Sequence, residues 1–364
     1  MNVFSAADHG FMAHALRLAA RGLAATTPNP RVGCVLVRDG AVIAEGWHER
    51  AGGPHAEAMA LAKVDAGKTA AGATAYVTLE PCSHHGRTPP CADALIAAGV
   101  TRVVAAMPDP NPLVAGRGLE KLAAAGITVS CGLLESEARE LNIGFVSRMT
   151  RGRPWVRLKV AASLDGKTAL ANGTSQWITG PDARRDGHAW RARSCALLTG
   201  IGTVKDDDPR LTVRDVPCAR QPLRVVVDSR LEIPEDAAIL DGGCLIACAT
   251  ENPEKAARLT QRGAEHVMLP NARGKVDLPA LLAELGRRGI NELMVEAGAK
   301  LNGALLRERC VDELLIYQAP MLLGDAARSM FDFGALAELA GAPRLDIIER
   351  RPVGADFFIR ARFG

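Results

Sequence analysis

Short apolar runs alternate with longer amphipathic segments along most of the chain, and this pattern predicts an α/β protein. Two apolar runs, Val32 to Val37 and Ala41 to Trp47, flank Asp39-Gly40 and predict a β-hairpin. Beyond this hairpin, alternating strands and helices predict a largely parallel sheet. The expected strands are Ala75 to Leu79, Val103 to Met107 and Ile127 to Cys131, and the expected helices are Phe11 to Ala25, Ala56 to Ala66, Ala92 to Ala98, Leu119 to Ala125 and Ser136 to Met149.

The segment Arg151-Gly152-Arg153-Pro154 interrupts this alternation and predicts two domains, 1–150 and 151–364. A second α/β series follows it. Its expected strands are Trp155 to Ala161, Ala196 to Thr199, Leu223 to Asp228, Cys244 to Ala249, Leu293 to Glu296 and Glu313 to Ala319. Its expected helices are Asp182 to Arg193, Pro253 to Arg262, Leu278 to Arg288 and Ala299 to Arg307. A closing hairpin, Leu345 to Phe363, is expected to turn at Gly354-Ala355, and 231–243 is expected to form a loop.

Composition narrows the possible functions. The length of 364 residues fits two domains, and 44 basic against 41 acidic residues, with 4% aromatics, gives no basic or base-stacking surface for nucleic acid. The longest uncharged stretch, Leu122 to Leu134, is shorter than the ~20 residues of a membrane helix. The first residues do not resemble a secretory signal. Nine cysteines, an odd number, indicate reduced thiols and a cytoplasmic protein.

One histidine and two cysteines form the sharpest chemical pattern: His55-Ala56-Glu57, then Pro81-Cys82, then Cys91. One imidazole and two thiolates suit zinc, and three protein ligands leave a fourth position open for water. Glu57 would then move protons from the water to a departing amine. Prolines before His55 and Cys82 suggest that both ligands stand at helix N-termini, where the helix dipole favours anions.

Two other interpretations of this pattern stay open. A closed structural zinc site could use His84 or His85 as fourth ligand, or the cysteines could be buried free thiols. A lone H-x-E is common by chance, whereas H-x-E with Pro-Cys and a further cysteine on a β-α-β frame is much less so. Only together with the family resemblance that follows does this pattern lead us to expect one catalytic zinc ion per chain.

The pattern resembles the zinc nucleobase deaminases, whose signature is H-x-E…P-C-x-x-C, although here eight residues separate the cysteines. With that spacing, TLEPCSHHGRTPPC resembles the deaminase half of the bifunctional riboflavin-biosynthesis enzymes, the RibD family. TPNPRVG at 27–33, DPNP at 109–112 and VAGRG at 114–118 share this resemblance. It implies a cytidine-deaminase-like three-layer domain that deaminates a diaminopyrimidinone ribosylamine 5′-phosphate.

The resemblance also implies substrate contacts in this half. Asn29 would hydrogen-bond the pyrimidine, because its amide can both donate and accept. His84 and Arg87, on the inserted loop, would reach the substrate and its phosphate. The alternatives are a turn residue between two prolines for Asn29, and a solvated loop for His84 and Arg87.

The second half lacks a G-x-G-x-x-G after its first strand, so a standard dinucleotide fold is unsupported. Its motifs are LKVAASLDGK at 158–167, SQWIT at 175–179, GTVKDDDP at 202–209, LTVR at 211–214 and VEAG at 295–298. These resemble the reductase half of the same family. The resemblance implies a dihydrofolate-reductase-like α/β domain that uses NADPH to reduce the ribosyl group to a ribityl group.

In that half, a cation near the reacting carbon would stabilise developing negative charge, and Lys159 is the candidate for it. The alternative is a strand lysine that faces solvent. Arg191 and Arg214 would bind the substrate phosphate, because a guanidinium matches phosphate oxygens. The other implied substrate-binding residues are Ser175, Leu211 and Glu296. The implied NADPH contacts are Ala161, Trp177, Thr203, Asp207, Ser229, Gly298 and Gly303. Trp177 could equally be a packed aromatic side chain, and Asp207 part of a loop cap.

Two rival functions share the predicted zinc site. A tRNA-editing deaminase would need a basic, aromatic strand-binding surface, which the composition does not support. A non-catalytic zinc scaffold would need a fourth protein ligand and would give Glu57 no role. Enzymes of this class are often homo-oligomers, and the small-molecule substrate is the expected partner.

Overall fold

The structure is a computed structural model that describes residues 4–64, 69–83, 90–112 and 114–364. The chain divides into two compact units, Met1–Gly152 and Arg153–Gly364. Each unit is α/β, as predicted. The predicted boundary after residue 150 lies next to Gly152, which takes the left-handed conformation directly after a helix.

The first unit alternates strands and helices. Its strands are β1 (Gly33–Arg38), β2 (Ala41–Trp47), β3 (Thr74–Val77), β4 (Arg102–Ala105) and β5 (Thr128–Cys131). Its helices are α1 (Ala6–Ala20), α2 (Ala56–Ala62), α3 (Cys91–Ala97), α4 (Arg117–Ala124), α5 (Glu135–Leu141) and α6 (Ile143–Arg151). The sheet order is β2-β1-β3-β4-β5, with β3, β4 and β5 parallel and β1 antiparallel to both neighbours.

Three layers form because alternate strand residues face opposite sides of the sheet. Cys34 and Leu36 pack with α2, α3 and α4, whereas Val35 and Val37 pack with α1, α5 and α6. This confirms the expected three-layer arrangement. The directions of the strands place the carboxyl ends of β2 to β5 at one edge of the sheet.

Two helix predictions in this unit were wrong. The first helix begins five residues earlier than expected, because Ser5 and Asp8 form a capping box. The expected helix from Ser136 to Met149 is two helices separated at Asn142. The Asn142 side chain bonds both the N–H and the C=O of Arg31, and this buried pairing occupies the break.

The second unit contains a nine-stranded sheet, ordered β11-β10-β9-β8-β12-β6-β13-β16-β15, and a two-stranded ribbon, β14-β7. The strands are β6 (Trp155–Ser163), β7 (Lys167–Ala169), β8 (Ala196–Gly200), β9 (Leu223–Val227), β10 (Leu245–Cys248), β11 (Glu265–Met268), β12 (Glu292–Val295), β13 (Glu313–Ala319), β14 (Arg328–Ser329), β15 (Leu345–Val353) and β16 (Asp356–Phe363). The helices are α7 (Pro181–Arg193), α8 (Ile201–Asp207), α9 (Pro253–Gln261), α10 (Leu278–Arg287) and α11 (Ala299–Arg307).

Helices cover both faces of this large sheet. Leu198 and Val225 pack towards α10 and α11, while their chain neighbours Leu197 and Val226 pack towards α8 and α9. In the sheet order, the strands from β11 to β13 run parallel, and β16 and β15 close the sheet as the predicted antiparallel hairpin. The sequence did not predict α8, β7, β11 or β14; α8 begins within the turn-like sequence Gly200-Ile201-Gly202. A short 3₁₀ turn, Ala238–Leu240, lies in the expected loop 231–243.

A buried charge network lies across the middle of the second sheet. Arg157, fully buried on β6, pairs with Glu292 on β12 and with Glu313 on β13. Arg193 also reaches Glu292, and Arg360 and Arg362 reach Glu313. Buried charges of this kind need partners, because desolvation penalises each isolated ion by several kcal/mol.

Among the described residues, no helix is long and apolar enough to cross a membrane.

Candidate active sites

The predicted zinc ligands converge at the carboxyl edge of the first sheet. His55 is the N-cap of α2, Cys91 is the first residue of α3, and Cys82 follows β3. Their ligand atoms all lie within 4.8 Å of one another, and His55 Nδ1 is 3.6 Å from Cys82 Sγ and 3.3 Å from Cys91 Sγ. The expectation that Cys82 begins a helix was wrong; the helix begins at Cys91.

These separations fit zinc. Zn–S bonds of ~2.3 Å and Zn–N bonds of ~2.0–2.1 Å in a tetrahedron put nitrogen and sulfur about 3.6 Å apart. The two nitrogen–sulfur distances, 3.6 and 3.3 Å, are close to this value, so the three residues could hold one zinc ion. Among the described residues they are the one group of three or more histidine, cysteine or acidic side chains so placed.

Glu57 lies in the first turn of α2 and is 3% exposed. Burial raises the pKa of Glu57 to about 7, and its carboxyl group lies beside the Cys91 thiol. The Cys91 N–H donates to Cys82 Sγ at 3.3 Å, which helps hold a thiolate there. The buried carboxyl group is thus placed to exchange protons next to the metal position.

Asn29 is joined to this site through His48, a histidine that no sequence motif marked. The Asn29 amide donates to His48 Nε2 at 3.1 Å, and His48 Nδ1 donates to the Pro54 carbonyl at 2.9 Å. The His48 ring lies 5.6 Å from the His55 ring, edge to face. His48 is a single histidine directly after a strand, and nothing in the surrounding sequence indicates that it bonds to Asn29. His84 and Arg87 lie outside the described residues.

Glu80 organises the backbone beside the ligands. It is 3% exposed, and its two carboxylate oxygens accept the N–H groups of Asp109, Gly116 and Gly118 at 2.8–3.0 Å. Gly118 lies so close to Pro81 that a Cβ built on it would be 1.9 Å from the Pro81 oxygen. The start of α4 therefore packs directly against the residue before Cys82.

In the second unit, three predicted residues form one charged cluster. Glu296, directly after β12, accepts two bonds from Arg191 at 2.5 and 3.0 Å, and Lys159 Nζ lies 3.8 Å from it. Burial alone would raise the pKa of Glu296, but Arg191 and Lys159 lower it to about 2. Burial lowers the pKa of Lys159, and Glu296 acts in the opposite direction.

Two more predicted substrate residues lie next to this cluster. Arg191 Nη1 donates to the Thr212 carbonyl at 3.1 Å and so joins the cluster to the segment 211–214. Leu211 is buried and Arg214 is exposed at the two ends of that segment. The structure thus brings Lys159, Arg191 and Glu296 together and places 211–214 beside them.

Ser175 and Asp207 line a cavity of about 430 Å³, together with the ribbon residue Arg328 and with Asp206, to which Arg328 is paired at 3.2 Å. No sequence motif marked Arg328. Trp177 is 66% exposed beneath the Arg184 guanidinium, which argues against the alternative of a packed aromatic side chain.

The remaining expected NADPH residues stand mostly at carboxyl ends of the parallel strands. Thr203 lies on α8 after β8, and a Cβ built on Gly298, the N-cap of α11, would be 3.9 Å from Thr203 Oγ1. Ser229 follows β9 and accepts the Val276 N–H at 3.1 Å. Ala161 lies on β6 opposite Tyr317 of β13. Gly303 is buried inside α11, where a Cβ would be 1.9 Å from the Asp332 carbonyl oxygen.

Comparisons with protein-family models identify the class of protein to which each of the two domains belongs. Residues 5–107 match the family model described as the cytidine and deoxycytidylate deaminase zinc-binding region, and residues 154–359 match the RibD C-terminal domain. The chain is therefore a zinc-binding deaminase domain followed by a reductase domain, as the sequence predicted.

Similar proteins then define the family. The riboflavin biosynthesis protein RibD of Escherichia coli is 51% identical, over 96% of this chain and 97% of that protein. RibD of Haemophilus influenzae is 48% identical, over 97% and 96%. The structure of Acinetobacter baumannii RibD superposes with a TM-score of 0.91 at 43% identity, covering 98% of this chain and 99% of that one. This chain belongs to the RibD family of bifunctional riboflavin-biosynthesis enzymes.

A fourth relative is named for two activities. A Thermotoga maritima diaminohydroxyphosphoribosylaminopyrimidine deaminase/5-amino-6-(5-phosphoribosylamino)uracil reductase superposes with a TM-score of 0.88 at 34% identity, over 98% of this chain and 99% of that one. The order of the two domains in this chain matches the order of activities in the name of that protein.

Proposed function

We propose that the first unit hydrolytically deaminates a diaminopyrimidinone ribosylamine 5′-phosphate and that the second reduces the deaminated product with NADPH. The observation that carries the proposal is the set of His55, Cys82 and Cys91 at zinc-ligand spacing with Glu57 buried beside it. Membership of the RibD family and the two activities for which the Thermotoga relative is named support the choice of substrate.

In the deaminase unit, His55, Cys82 and Cys91 would hold the zinc. When bound, zinc lowers the pKa of a coordinated water to near neutrality. Glu57 would accept a proton from the attacking water and deliver it to the departing ammonia. Asn29, fixed by His48, would orient the pyrimidine through its amide oxygen. His84 and Arg87 remain proposed contacts to the substrate and its phosphate.

In the reductase unit, NADPH supplies a hydride to C1′ of the opened sugar. Lys159 would place its cation beside the oxygen or nitrogen that gains negative charge at that carbon. Glu296 orients Lys159 and Arg191 by pairing with both. Arg191 and Arg214 would bind the phosphate, with Ser175 and Leu211 lining the substrate site. Ala161, Trp177, Thr203, Asp207, Ser229, Gly298 and Gly303 are the proposed cofactor residues.

The test follows ammonia release and NADPH oxidation in one cuvette, with zinc-loaded protein and the diaminopyrimidinone substrate. Matched ammonia release and NADPH loss are expected for the wild type. Glu57→Gln should lose both by ~10²–10⁴-fold, and the exposed Glu49→Gln serves as control. Adding the deaminated intermediate should restore NADPH oxidation in Glu57→Gln. Ammonia release without NADPH loss in the wild type would refute the reductase assignment, and full turnover by Glu57→Gln would refute the role of Glu57.

We also propose that the chain forms a homo-oligomer through β15. This strand ends the sheet order and exposes Ile347 (58%) and Ile348 (44%), with Phe357 of β16 at 51%. An exposed apolar edge strand favours pairing with a second copy. Light scattering should give a mass above 38.4 kDa, and Ile347→Glu should reduce it to that of a monomer.

The proposed compartment is the cytoplasm, and the proposed partners are small molecules rather than nucleic acid. All nine cysteines lie among the described residues as free thiols, as a reducing compartment allows. A salt-dependent gel shift with RNA would contradict the choice of partners.

A further inference from the structure

The segment 211–214 carries two proposed substrate residues, Leu211 and Arg214, yet it belongs to no helix or strand. Leu211 has a φ of +44°, which a leucine seldom adopts. Such a segment needs contacts from elsewhere to keep one conformation. Its place therefore depends on the side chains that bond to its backbone.

Three side chains supply these backbone bonds. Gln221 bonds both the N–H and the C=O of Val213, at 2.8 and 3.0 Å. Arg191 donates to the Thr212 carbonyl. His188 Nδ1 accepts the Arg214 N–H at 3.2 Å. Of these three side chains, His188 is the one that accepts the backbone N–H of Arg214.

His188 is fixed from both sides of its ring. It is 6% exposed on α7, one turn before Arg191, and its Nε2 lies 3.3 Å from Asp215 Oδ2. Because Nδ1 accepts a bond, the hydrogen is assigned to Nε2, which donates to Asp215. The charged groups that face the ring are Arg191, Arg214, Asp215 and Glu296.

We propose that His188 is a positioning residue for the reductase substrate: it holds the backbone of Arg214 so that the guanidinium can bind the anionic group of that substrate. The inference rests on the proposed function of the second unit. His188 itself touches Arg214 and Asp215 and takes no part in hydride transfer. Its loss should weaken substrate binding and leave the chemical step and the cofactor unaffected.

The two ring nitrogens can be tested separately. His188→Asn places an amide oxygen near the position of Nδ1 and can still accept from Arg214, whereas His188→Gln reaches the position of Nε2 and keeps only the bond towards Asp215. His188→Leu removes both bonds. One lost buried hydrogen bond is typically worth about tenfold in affinity. We expect the dissociation constant of the deaminated substrate to rise about tenfold in the Leu and Gln variants and to stay near wild type in the Asn variant.

The measurements are isothermal titration with the deaminated substrate, kcat, the KM for NADPH and thermal unfolding, with the exposed His266→Leu as control. kcat and the KM for NADPH should not change. The inference is overturned if the Asn and Leu variants bind the substrate equally poorly, or if all three variants bind it as well as the wild type does. It is also overturned if NADPH affinity and stability fall together with substrate affinity. Substrate binding without turnover in the wild type would instead refute the proposed reaction alone.

A pH profile gives a second readout. Protonated histidine cannot accept the Arg214 N–H, so substrate affinity should fall as His188 becomes charged. Burial lowers the pKa of His188, and Arg191 and Arg214 act in the same direction while Asp215 and Glu296 oppose them. Affinity should therefore decrease below about pH 6.5. The part of the decrease that persists in His188→Asn belongs to the substrate phosphate, and identical profiles for the two proteins would contradict the proposal.

Discussion

Replacing Gly118 by alanine should weaken zinc binding although Gly118 is not a ligand. A Cβ at this position would lie 1.9 Å from the Pro81 oxygen and 3.1 Å from Glu80 Oε1. An ordinary contact needs at least 3.4 Å, so Pro81 or the start of α4 must move by about 1.5 Å. Metal sites tolerate deviations of only ~0.2 Å in ligand distance, and Cys82 is the residue after Pro81.

Changes in the residues that support metal ligands typically cost ~10–100-fold in metal affinity, and we expect a loss in that range. The assay is competition for zinc with a chelator of known affinity, read together with ammonia release at saturating zinc. Gly10→Ala is the matched control, because a Cβ at Gly10 meets nothing within 4 Å. Zinc affinity in Gly118→Ala equal to that of Gly10→Ala would refute the argument that this contact sets the position of Cys82.

Three further predictions concern the charges and the metal. Arg157→Leu should destabilise the second unit by ~3–5 kcal/mol in urea unfolding, because Glu292 and Glu313 both lose the buried guanidinium with which they pair. The control, Arg287→Leu at an exposed position, should change stability by less than ~1 kcal/mol. Glu296→Gln should lower the free energy of unfolding by about 3 kcal/mol at pH 7. The pKa of Glu296 is about 2 in the folded chain and ~4.3 in the unfolded chain, so its ionised form stabilises the fold at pH values above ~4.3. The difference from wild type should vanish as the pH falls towards 2. Chelation of zinc should stop ammonia release but leave NADPH oxidation with the deaminated intermediate intact, and loss of both would contradict independent sites.

Local patterns made much of the fold predictable. The strand Glu313–Ala319 and the helix Ala299–Arg307 have the predicted bounds, because apolar periodicity and their flanking residues mark both ends. By contrast, α8 begins at Ile201 in a glycine-rich sequence, and β11 exposes Glu265 and His266. Neither segment has apolar residues at the spacing typical of its secondary structure. Packing of α8 and pairing of β11 with its neighbouring strand determine these two structures instead.

Some features of the two candidate sites were likewise predictable from the sequence, and others were not. The convergence of His55, Cys82 and Cys91 was predictable because these residue types are rare and specific in combination. The pairing of Arg191 with Glu296 joins residues 105 positions apart, and nothing in either neighbourhood indicates it. His48 and His188 each make backbone or amide contacts that only the folded chain creates. A single histidine gives the sequence no means to distinguish such a role from ordinary burial.

The position of β6 has a consequence for synthesis of the chain. This strand is the first of the second unit to leave the ribosome, but its neighbours β12 and β13 come much later; the Val156 N–H bonds to Asp312, 156 residues on. The first unit, in contrast, pairs its strands within residues 33–131. We therefore expect the deaminase unit to fold during translation while β6, an interior strand of the reductase sheet, remains unpaired. During that interval the chain is most exposed to aggregation, and the charge of Arg157 within β6 would oppose premature association of this strand.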